Sequence, residues 1–462
     1  MRTSRNVIMA AMIMTAVNAS AFKTAGDGTT YSLQKLSEIE EANIYRYVDE
    51  DDGEVIYQIY ETDTIAAGDR FVMEDGVTVQ FDDDVALVIE GEADFRLAKG
   101  STFNSAFEDA DYVRPVGIYV NSTQDEVAFE NCLFYYVGLR AAAVKSVSLK
   151  HCAFYNNNGA IGQAALIMNS GEAQFTVDDC TFEANAKAAI ASAANYFTPV
   201  SITNCTFRHN GQNNGNTPQL NLTVASLVTI SDCTIEGDPT KTKVGGIGIS
   251  NFYGKGNTHI VIKNCDIREN RYGIGLTGTS DIRIENNTLV NNCHETNPMN
   301  GGSGISLYDV SSRTTTAVIA GNHIEGSLWG VTVIGCKDVN LGQPSATDIQ
   351  SPGGNTFKDN GNGGELYDLY NNSDLTIYAQ NNTWNVSEQT EEQIESVIFH
   401  KNDDQKLGEV IFMPAANTAQ GIADTWTEST TNERAYTLDG RQTRNTTSHR
   451  SLIIKNGKKA IR

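Results

Sequence analysis

The sequence of 462 residues predicts an all-β solenoid, a coil of short strands. The first observation is a four-residue motif, such as Asn204-Cys205-Thr206-Phe207, that occurs ten times at intervals of 20 to 35 residues. A repeat of this length indicates a solenoid, because each repeat forms one unit that stacks on the next. The second observation is that apolar and polar residues alternate before the motif, as in Val200 to Thr203, which is the period of a half-buried strand.

The first residue of the motif predicts a corner in every coil. Before Asn204 the inward side chains stand at even-numbered positions, Val200 and Ile202, whereas after it Cys205 points inward from an odd-numbered position. The chain must therefore bend at Asn204. Asn, Asp, His or Gly fills this position in all ten repeats, and these residues reach left-handed backbone conformations at least cost. We call the position the motif corner. Its members are Asn131, His151, Asp179, Asn204, Asp232, Asn264, Asn286, Gly321, Gly354 and Asn381.

The second residue of the motif predicts a buried ladder along the coil. Its side chain should point inward and stack on its counterpart in the next coil, about 4.8 Å away. Cysteine fills such a position as a small apolar group, whereas asparagine can pass amide hydrogen bonds from coil to coil. The predicted motif ladder consists of Cys132, Cys152, Cys180, Cys205, Cys233, Cys265, Asn287, Asn322, Asn355 and Asn382.

A further strand follows the corner, marked by patterns such as Gly246-Ile247-Gly248-Ile249 and Gly330-Val331-Thr332-Val333. Two or three short strands per repeat, with no helical period, are compatible with only one architecture. From about Ile65 to Pro414 the sequence resembles the right-handed parallel β-helix of the pectate-lyase-like superfamily. The resemblance implies a fold and no particular activity, because that fold hosts lyases, hydrolases, adhesins and inert scaffolds.

The chain is predicted to have five segments. Arg2, Arg5, the apolar run from Val7 to Val17 and the small residues up to Ala21 are typical of a secretory signal peptide. The segments are a signal peptide at 1–21, an N-terminal cap at 22–63, a β-helix with its C-terminal cap at 64–414, a linker at 415–433 and a β-rich tail at 434–462.

Both ends of the coil are expected to be capped, because an open end exposes unpaired strand edges. We predict a short helix near Leu33 to Ala42 in the N-terminal cap. A helix over Glu391 to His400 and a strand before Pro414 resemble the closing cap of the superfamily. The segment 434–462 resembles the β-rich C-terminal tails of proteins exported across the outer membrane of anaerobic Gram-negative bacteria, although it departs from them at 449–452. An extra β-hairpin is the alternative.

The composition limits the partners. A net charge of −23 argues against nucleic acid and anionic membranes. Beyond the signal peptide no segment is long and apolar enough to span a bilayer. We expect a monomer that is secreted across the inner membrane and lies outside the cell or on its outer surface.

Eight cysteines in a secreted protein would usually indicate disulfides. Six of them occupy the motif ladder, where side chains one coil apart are too distant for a relaxed bridge, so we expect free thiols. Cys293 and Cys336 lie outside the ladder. A nucleophile or metal site at Cys293-His294 is disfavoured, because no partner cluster is visible in the sequence.

Charged residues on the outer face could carry catalysis. In β-helix lyases an Arg or Lys acts as base and carboxylates on neighbouring coils often hold Ca²⁺. In successive repeats the residue after the inward Phe or Ile is Glu183, Arg208, Glu236 and Arg268. Arg208 or Arg268 would then be the base and Glu183 or Glu236 a cation or sugar ligand. The alternative is a solvated salt-bridge row, which contributes about 0.2–1 kcal/mol per pair.

Aromatic residues and loops indicate where a glycan could bind. Tyr135, Tyr136 and Tyr155 are outward candidates for stacking on sugar rings, joined by Phe252 and Tyr253. Long insertions at 208–219, 236–245 and 290–303 leave the same edge of the coil and should form one wall. We favour a surface protein that binds or scaffolds a polysaccharide or surface glycan, with no evident cofactor. The alternative is a polysaccharide lyase or glycosidase, with Ca²⁺ as a cofactor if it is a lyase.

Overall fold

The structure is a computed structural model of the chain. It describes residues 21–95, 99–106, 116–121, 126–142, 145–157, 164–168, 173–192, 198–224, 226–251, 257–295, 297–343 and 350–416, and four short tail strands. The predicted signal peptide, apart from Ala21, and most of the predicted linker lie outside the described residues.

Three long sheets run along a coil, and each full turn contributes one strand to each sheet. The strands before the motif corner form sheet 1: Glu126–Glu130, Ser146–Lys150, Gln174–Asp178, Val200–Thr203, Leu227–Ser231, His259–Lys263, Asp281–Glu285, Thr316–Ala320, Asp338–Gly342, Ile377–Ala379 and Val410–Ile411. The strands of the motif form sheet 2: Ile44–Val48, Val55–Ile59, Thr78–Phe81, Thr102–Ser105, Leu133–Tyr135, Ala153–Tyr155, Thr181–Glu183, Thr206–Arg208, Thr234–Glu236, Asp266–Arg268, Thr288–Val290, His323–Glu325 and Thr356–Lys358.

Sheet 3 closes each turn with Asp63–Ile65, Ala86–Ile89, Val116–Asn121, Val137–Ala142, Ala164–Met168, Ala188–Ser192, Leu220–Thr223, Ile247–Ser250, Ile274–Thr277, Ser303–Tyr308, Trp329–Ile334, Leu369–Asn372 and Ile398–Phe399. A small sheet near the N-terminus contains Thr30–Tyr31, Arg70–Val72 and Glu92–Asp94. Within the three long sheets, neighbouring described strands are parallel except Ile44–Val48, which pairs antiparallel with Val55–Ile59. The chain is therefore a right-handed parallel β-helix, as the sequence predicts.

The motif corner adopts the predicted backbone conformation in all ten coils. The φ angles of its ten residues lie between 50° and 80°. The side chain that follows the motif ladder by two residues then points inward. Phe103, Phe134, Phe154, Phe182 and Phe207 form a continuous internal stack with ring centroids 4.2–5.3 Å apart. Burial of such aromatic side chains is the main stabilising contribution to a narrow coil.

A second corner, which sequence reasoning missed, bends the chain again after eight of the described strands of sheet 2. We call it the exit corner. Its φ angles lie between 51° and 66° at Tyr136, Asn156, Ala184, His209, Glu269, Asn291, Gly326 and Asp359. This corner redirects the chain towards sheet 3, so each turn has three faces.

Both caps contain shorter helices than predicted. The first helix is Leu33–Ser37 and stops there because only one turn of apolar side chains, Leu33 and Leu36, faces the core. The second is Glu391–Glu395, since Ile398–Phe399 leaves it to pair with Leu369–Tyr370 as the last strand of sheet 3. Sheet 2 reaches into the segment predicted as the N-terminal cap, because Val55–Ile59 already pairs with Thr78–Phe81.

The tail forms a separate compact unit, residues 417–462. Its described strands are Ala435–Thr437, Gln442–Thr443, Leu452–Lys455 and Lys458–Ile461, all paired antiparallel. Within the described parts of the chain, no helix is long and apolar enough to cross a membrane.

Candidate functional site

The motif ladder forms the inner lining of the corner between sheets 1 and 2. Its six cysteines are at most 2% exposed and are free thiols. The backbone N–H of Cys265 donates to Asn287 Oδ1 at 2.9 Å, and Asn287 Nδ2 donates to Asn322 Oδ1 at 3.0 Å. Asn322 and Asn355 continue the same pattern to Asn382. The ladder is buried inside the coil, so its role is structural.

A second ladder, the exit ladder, lies behind the exit corner. Its asparagines are at most 1% exposed and donate side-chain hydrogen bonds along the coil; they are Asn157, Asn185, Asn210, Asn270, Asn292 and Asn360. The coil of Cys233 has no asparagine at this position. The buried side chain of Gln219 fills the gap, because it accepts from Asn210 Nδ2 at 2.9 Å and donates to Asn270 Oδ1 at 3.0 Å.

The charged row predicted for catalysis lies on the outer face of sheet 2. Glu183, Arg208, Glu236 and Arg268 are register neighbours in four successive coils. Arg208 Nε lies 3.1 Å from Glu236 Oε2, and the two side chains are 45% and 31% exposed. An ion pair this accessible to solvent contributes at most about 1 kcal/mol.

Arg268 pairs with a carboxylate in its own strand. Its guanidinium bonds to Asp266 in its own strand, and this hydrogen bond raises the pKa of Arg268 above its ordinary value. A general base must lose its proton readily at the working pH, whereas Arg268 is held protonated. Within the described residues, no group of three or more His, Cys, Asp or Glu side chains comes together to hold a metal ion.

The predicted aromatic candidates are only partly brought together. Tyr135 and Tyr155 stack on sheet 2 with ring centroids 5.2 Å apart. Tyr136 follows Tyr135 at the exit corner, with a φ of 62°. Phe252 and Tyr253 lie outside the described residues.

The Cys293-His294 pair lies beside the carboxylate of Glu269. His294 Nε2 lies 2.7 Å from Glu269 Oε2, so its ring is held by that carboxylate. Burial, followed by the nearby charge of Glu269, raises the pKa of the Cys293 thiol. A raised pKa disfavours the reactive thiolate.

A groove of about 430 Å³ lies on the outer face of sheet 3. We call it the sheet 3 groove. Its floor is a register row of Asn221, Gly248, Gly275, Ser306, Thr332 and Tyr370, one residue from each of six coils. A parallel row includes Thr277, Ile334 and Asn372. The groove therefore runs along the coil axis.

The three predicted insertions lie together, and residues of the first and third line one side of the groove, the wall. The N–H of Lys243 donates to Asn214 Oδ1 at 3.0 Å, which joins the first and second insertions. Arg271 joins the first and third, because its guanidinium bonds to Asn216 and to the carbonyl of Asn300. Its Nε also lies 3.2 Å from Glu295 Oε2.

Glycines in the floor allow the wall to approach the sheet. A Cβ at Gly248 would lie 2.6 Å from Pro218 Cγ, and one at Gly275 would lie 3.0 Å from Tyr272 Cε2. Both distances are shorter than side-chain packing tolerates. Any larger residue would push Pro218 or the Tyr272 ring away and reshape the groove.

One end of the groove is aromatic. The Trp329 ring is parallel to Tyr367, with centroids 5.6 Å apart, and contacts Tyr370 edge-on at 5.2 Å. Tyr370 in turn stacks on Phe399 at 4.8 Å. Trp329 Nε1 donates to the carbonyl of Pro298 at 2.8 Å, so the third insertion fixes the orientation of the indole.

The chemistry of the groove is uncharged. Among the described lining residues there is no Asp, Glu, Lys, Arg or His. Burial raises the pKa of Tyr272 to about 12, and burial with the charge of Asp404 raises the pKa of Tyr370. Both phenols are therefore neutral at ordinary pH.

Sequence reasoning missed this groove because it relied on the motif. The motif shows which residues of neighbouring coils are aligned only on sheet 2. A usable signal was present in the Gly-Ile-Gly pattern at Gly246 and Gly273, which marks a floor of small outward residues. Trp329 also precedes such a strand directly. Neither signal shows which side chains meet across coils, because the insertions change the spacing.

Comparison with known proteins gives a family profile that agrees with the fold over part of the chain. The profile of a family described as right handed beta helix region matches residues 86–258, which is less than half of the chain. A crystal structure of the periplasmic alginate epimerase AlgG matches with 14% identity and a TM-score of 0.42, covering 80% of this chain and 74% of that one. A double mutant of AlgG matches with 14% identity and a TM-score of 0.48, covering 84% of each chain. Curated protein sequences gave no match. The chain is a right-handed parallel β-helix protein, and identities this low carry no activity over to it.

Proposed function

We propose that this protein is an exported carbohydrate-binding β-helix whose glycan site is the sheet 3 groove. The supporting observation is that Trp329, Tyr370 and Tyr272 lie in one groove with the amides of Asn221 and Asn372. Aromatic faces stack on the apolar faces of sugar rings, and amides and hydroxyls pair with sugar hydroxyl groups.

Binding is favoured over cleavage because the described lining lacks acid–base groups. Glycoside hydrolysis uses two carboxyl groups that flank the scissile bond, and a lyase needs a base beside the proton that it removes. The described groove lining supplies neither. Its only titratable side chains are phenols, and the pKa values of Tyr272 and Tyr370 are raised.

The second candidate is a polysaccharide lyase or glycosidase that acts on sheet 2. The alignment of Glu183, Arg208, Glu236 and Arg268 in register is the observation that favours it. This enzyme would release unsaturated uronates or new reducing ends, with Ca²⁺ as cofactor if it is a lyase. Product formation that Arg208→Ala or Glu236→Ala abolishes would establish it.

The binding proposal is tested with the purified mature chain on a glycan array, followed by titration of each bound glycan. Trp329→Ala and Tyr370→Ala should each weaken binding by about tenfold, because each removes one stacking surface. Tyr155→Ala is the matched control, since it removes an aromatic ring from the stacked pair on sheet 2. Loss of binding in Tyr155→Ala alone would move the site to sheet 2, and no binding to any glycan would refute the proposal.

The proposed location is outside the inner membrane, on the cell surface or beyond it, and the proposed state is a monomer. The location follows from the signal-peptide pattern and the tail rather than from the groove. Protease treatment of intact cells, followed by detection of the chain, tests the location. Protection of the protein until the outer membrane is broken would contradict surface display.

A further inference from the structure

The sheet 3 groove has features that select a particular class of glycan, and this inference rests on the proposed function above. Its floor presents one outward residue per coil, in register, from Asn221 to Tyr370. Parallel strands in a sheet are about 4.8 Å apart, close to the length of one sugar unit in an extended chain. A linear polymer along the coil axis would therefore place successive sugar units over successive coils.

The floor is smooth enough for such a chain at its centre. Pro218 and Tyr272 pack over the half-buried Gly248 and Gly275, and Ser306 and Thr332 add only short hydroxyl side chains. The bulky residues lie towards one end, where Trp329 and Tyr370 make an aromatic surface. The centre can thus follow a chain of repeated units, while the aromatic end anchors it.

The charge of the groove determines whether a bound polysaccharide can carry charged groups. A carboxylate that leaves water needs a cation or several hydrogen-bond donors to replace its hydration. The described lining contains no cationic side chain. The side chain of Arg271, in the wall, is only 11% exposed; it hydrogen-bonds to Asn216 and Asn300 and forms an ion pair with Glu295. The net charge of −23 adds repulsion at long range.

We propose that the sheet 3 groove binds an uncharged linear polysaccharide along the coil axis and rejects polymers of uronic acids. The amides of Asn221 and Asn372 and the hydroxyls of Ser306 and Thr332 pair with sugar hydroxyls, and Trp329 stacks on a sugar face. No metal ion takes part. The wall held by Arg271 sets the width of the groove.

The test compares hexasaccharides of equal length by isothermal titration calorimetry on the full mature chain. The neutral probes are hexamers of β-1,4-glucose and β-1,4-mannose, and the acidic probes are hexamers of galacturonate and of alginate. At least one neutral probe should bind at least about tenfold more tightly than either acidic probe. Its affinity should change little between about 50 mM and about 500 mM NaCl, because no ion pair contributes.

A pair of variants isolates the role of charge. Thr277 lies half-buried in the groove lining, so Thr277→Lys adds a cation there and Thr277→Met adds similar bulk without charge. The affinity ratio of acidic to neutral hexamer should rise at least about tenfold in Thr277→Lys relative to Thr277→Met. Equal ratios in the two variants would overturn the electrostatic selection.

The outcomes separate the inference from the function on which it rests. If an acidic hexamer binds as tightly as the neutral ones and loses that affinity in Trp329→Ala, the groove binds carbohydrate but the inferred class is wrong. If no hexamer binds, and the protein retains its β-sheet circular dichroism, the proposed function and the inference both fail.

Discussion

Removal of the Gln219 side-chain amide should break the exit ladder at its weakest point. Gln219 is fully buried and joins two coils that have no asparagine between them at this position. It accepts from the N–H and the Nδ2 of Asn210 at 3.2 and 2.9 Å, and donates to Asn270 Oδ1 at 3.0 Å. The substitution Gln219→Met keeps the length of the side chain and removes every one of these bonds.

The expected cost follows from the groups that lose their partners. Asn210 Nδ2 still donates to the carbonyl of Phe182 at 2.9 Å, so it keeps a partner. The N–H of Asn210 and the Oδ1 of Asn270 are left buried without one. Each such group costs about 1–3 kcal/mol, so we expect a loss of about 2–6 kcal/mol in the free energy of unfolding.

The measurement is urea unfolding followed by far-ultraviolet circular dichroism, with the midpoint and slope determined for each variant. Gln212→Met is the matched control, because it makes the same chemical change at a half-buried glutamine on the same insertion. Gln212 donates to the carbonyl of His209 and to Asp238, both within reach of water. The control should lose less than about 1 kcal/mol.

The reasoning would be refuted if Gln219→Met were no less stable than Gln212→Met. That result would mean that Gln219 does not couple the two parts of the exit ladder on either side of it. A changed slope with an unchanged midpoint would instead indicate that the coil no longer unfolds as one unit.

Three further predictions test other parts of the account. Cys205→Phe should destabilise the coil by about 1–3 kcal/mol through overpacking. Cys205→Asn should be tolerated, because other coils carry asparagine in the motif ladder. Equal losses of stability for the two variants in urea unfolding would contradict this prediction. Burial raises the pKa of Asp368 from its ordinary 3.8 to about 7, so the folded state holds this proton more tightly than the unfolded state does. The free energy of unfolding should therefore fall by up to about 4 kcal/mol as pH rises from 4 to 7. Asp368→Asn should flatten that part of the pH profile of thermal unfolding, and an unchanged profile would exclude Asp368 as its source. Arg208→Ala should cost less than about 1 kcal/mol and leave glycan affinity unchanged, because its ion pair with Glu236 is exposed; weaker binding would favour a site on sheet 2.

The motif corner could be predicted because its bend depends on the residue type at a single position. Asn204 and its nine counterparts belong to the few residue types that reach positive φ cheaply, so their repeated occurrence identifies a bend. The inward parity on each side of that bend then fixes the motif ladder. Fold class, repeat register and buried cysteines all follow from this one position.

The exit corner gives a much weaker signal. Tyr136, Ala184 and Glu269 occupy three of its eight described positions, and none of these residue types favours a left-handed conformation. The surrounding coil imposes the bend there. The asparagines that follow it, such as Asn185 and Asn270, are the available signal, and they become visible only once the coils are aligned at this corner.

The groove could not be predicted, because it depends on contacts between coils of unequal length. Trp329 is oriented by the carbonyl of Pro298, and Arg271 joins Asn216 to Asn300. These pairs are separated by 29 to 55 residues, and no spacing rule connects them. Three-dimensional structure was needed to show that the insertions surround the outer face of sheet 3.

The most direct test of the central claim is fluorine NMR of protein labelled with 5-fluorotryptophan. Trp329 lines the groove and Trp384 is buried inside the coil, and single Trp→Phe variants assign their resonances. Titration with a bound neutral hexasaccharide should shift the Trp329 resonance and leave that of Trp384 in place. Binding that leaves Trp329 unmoved would show that the glycan lies elsewhere and would contradict the assignment of the sheet 3 groove as the binding site.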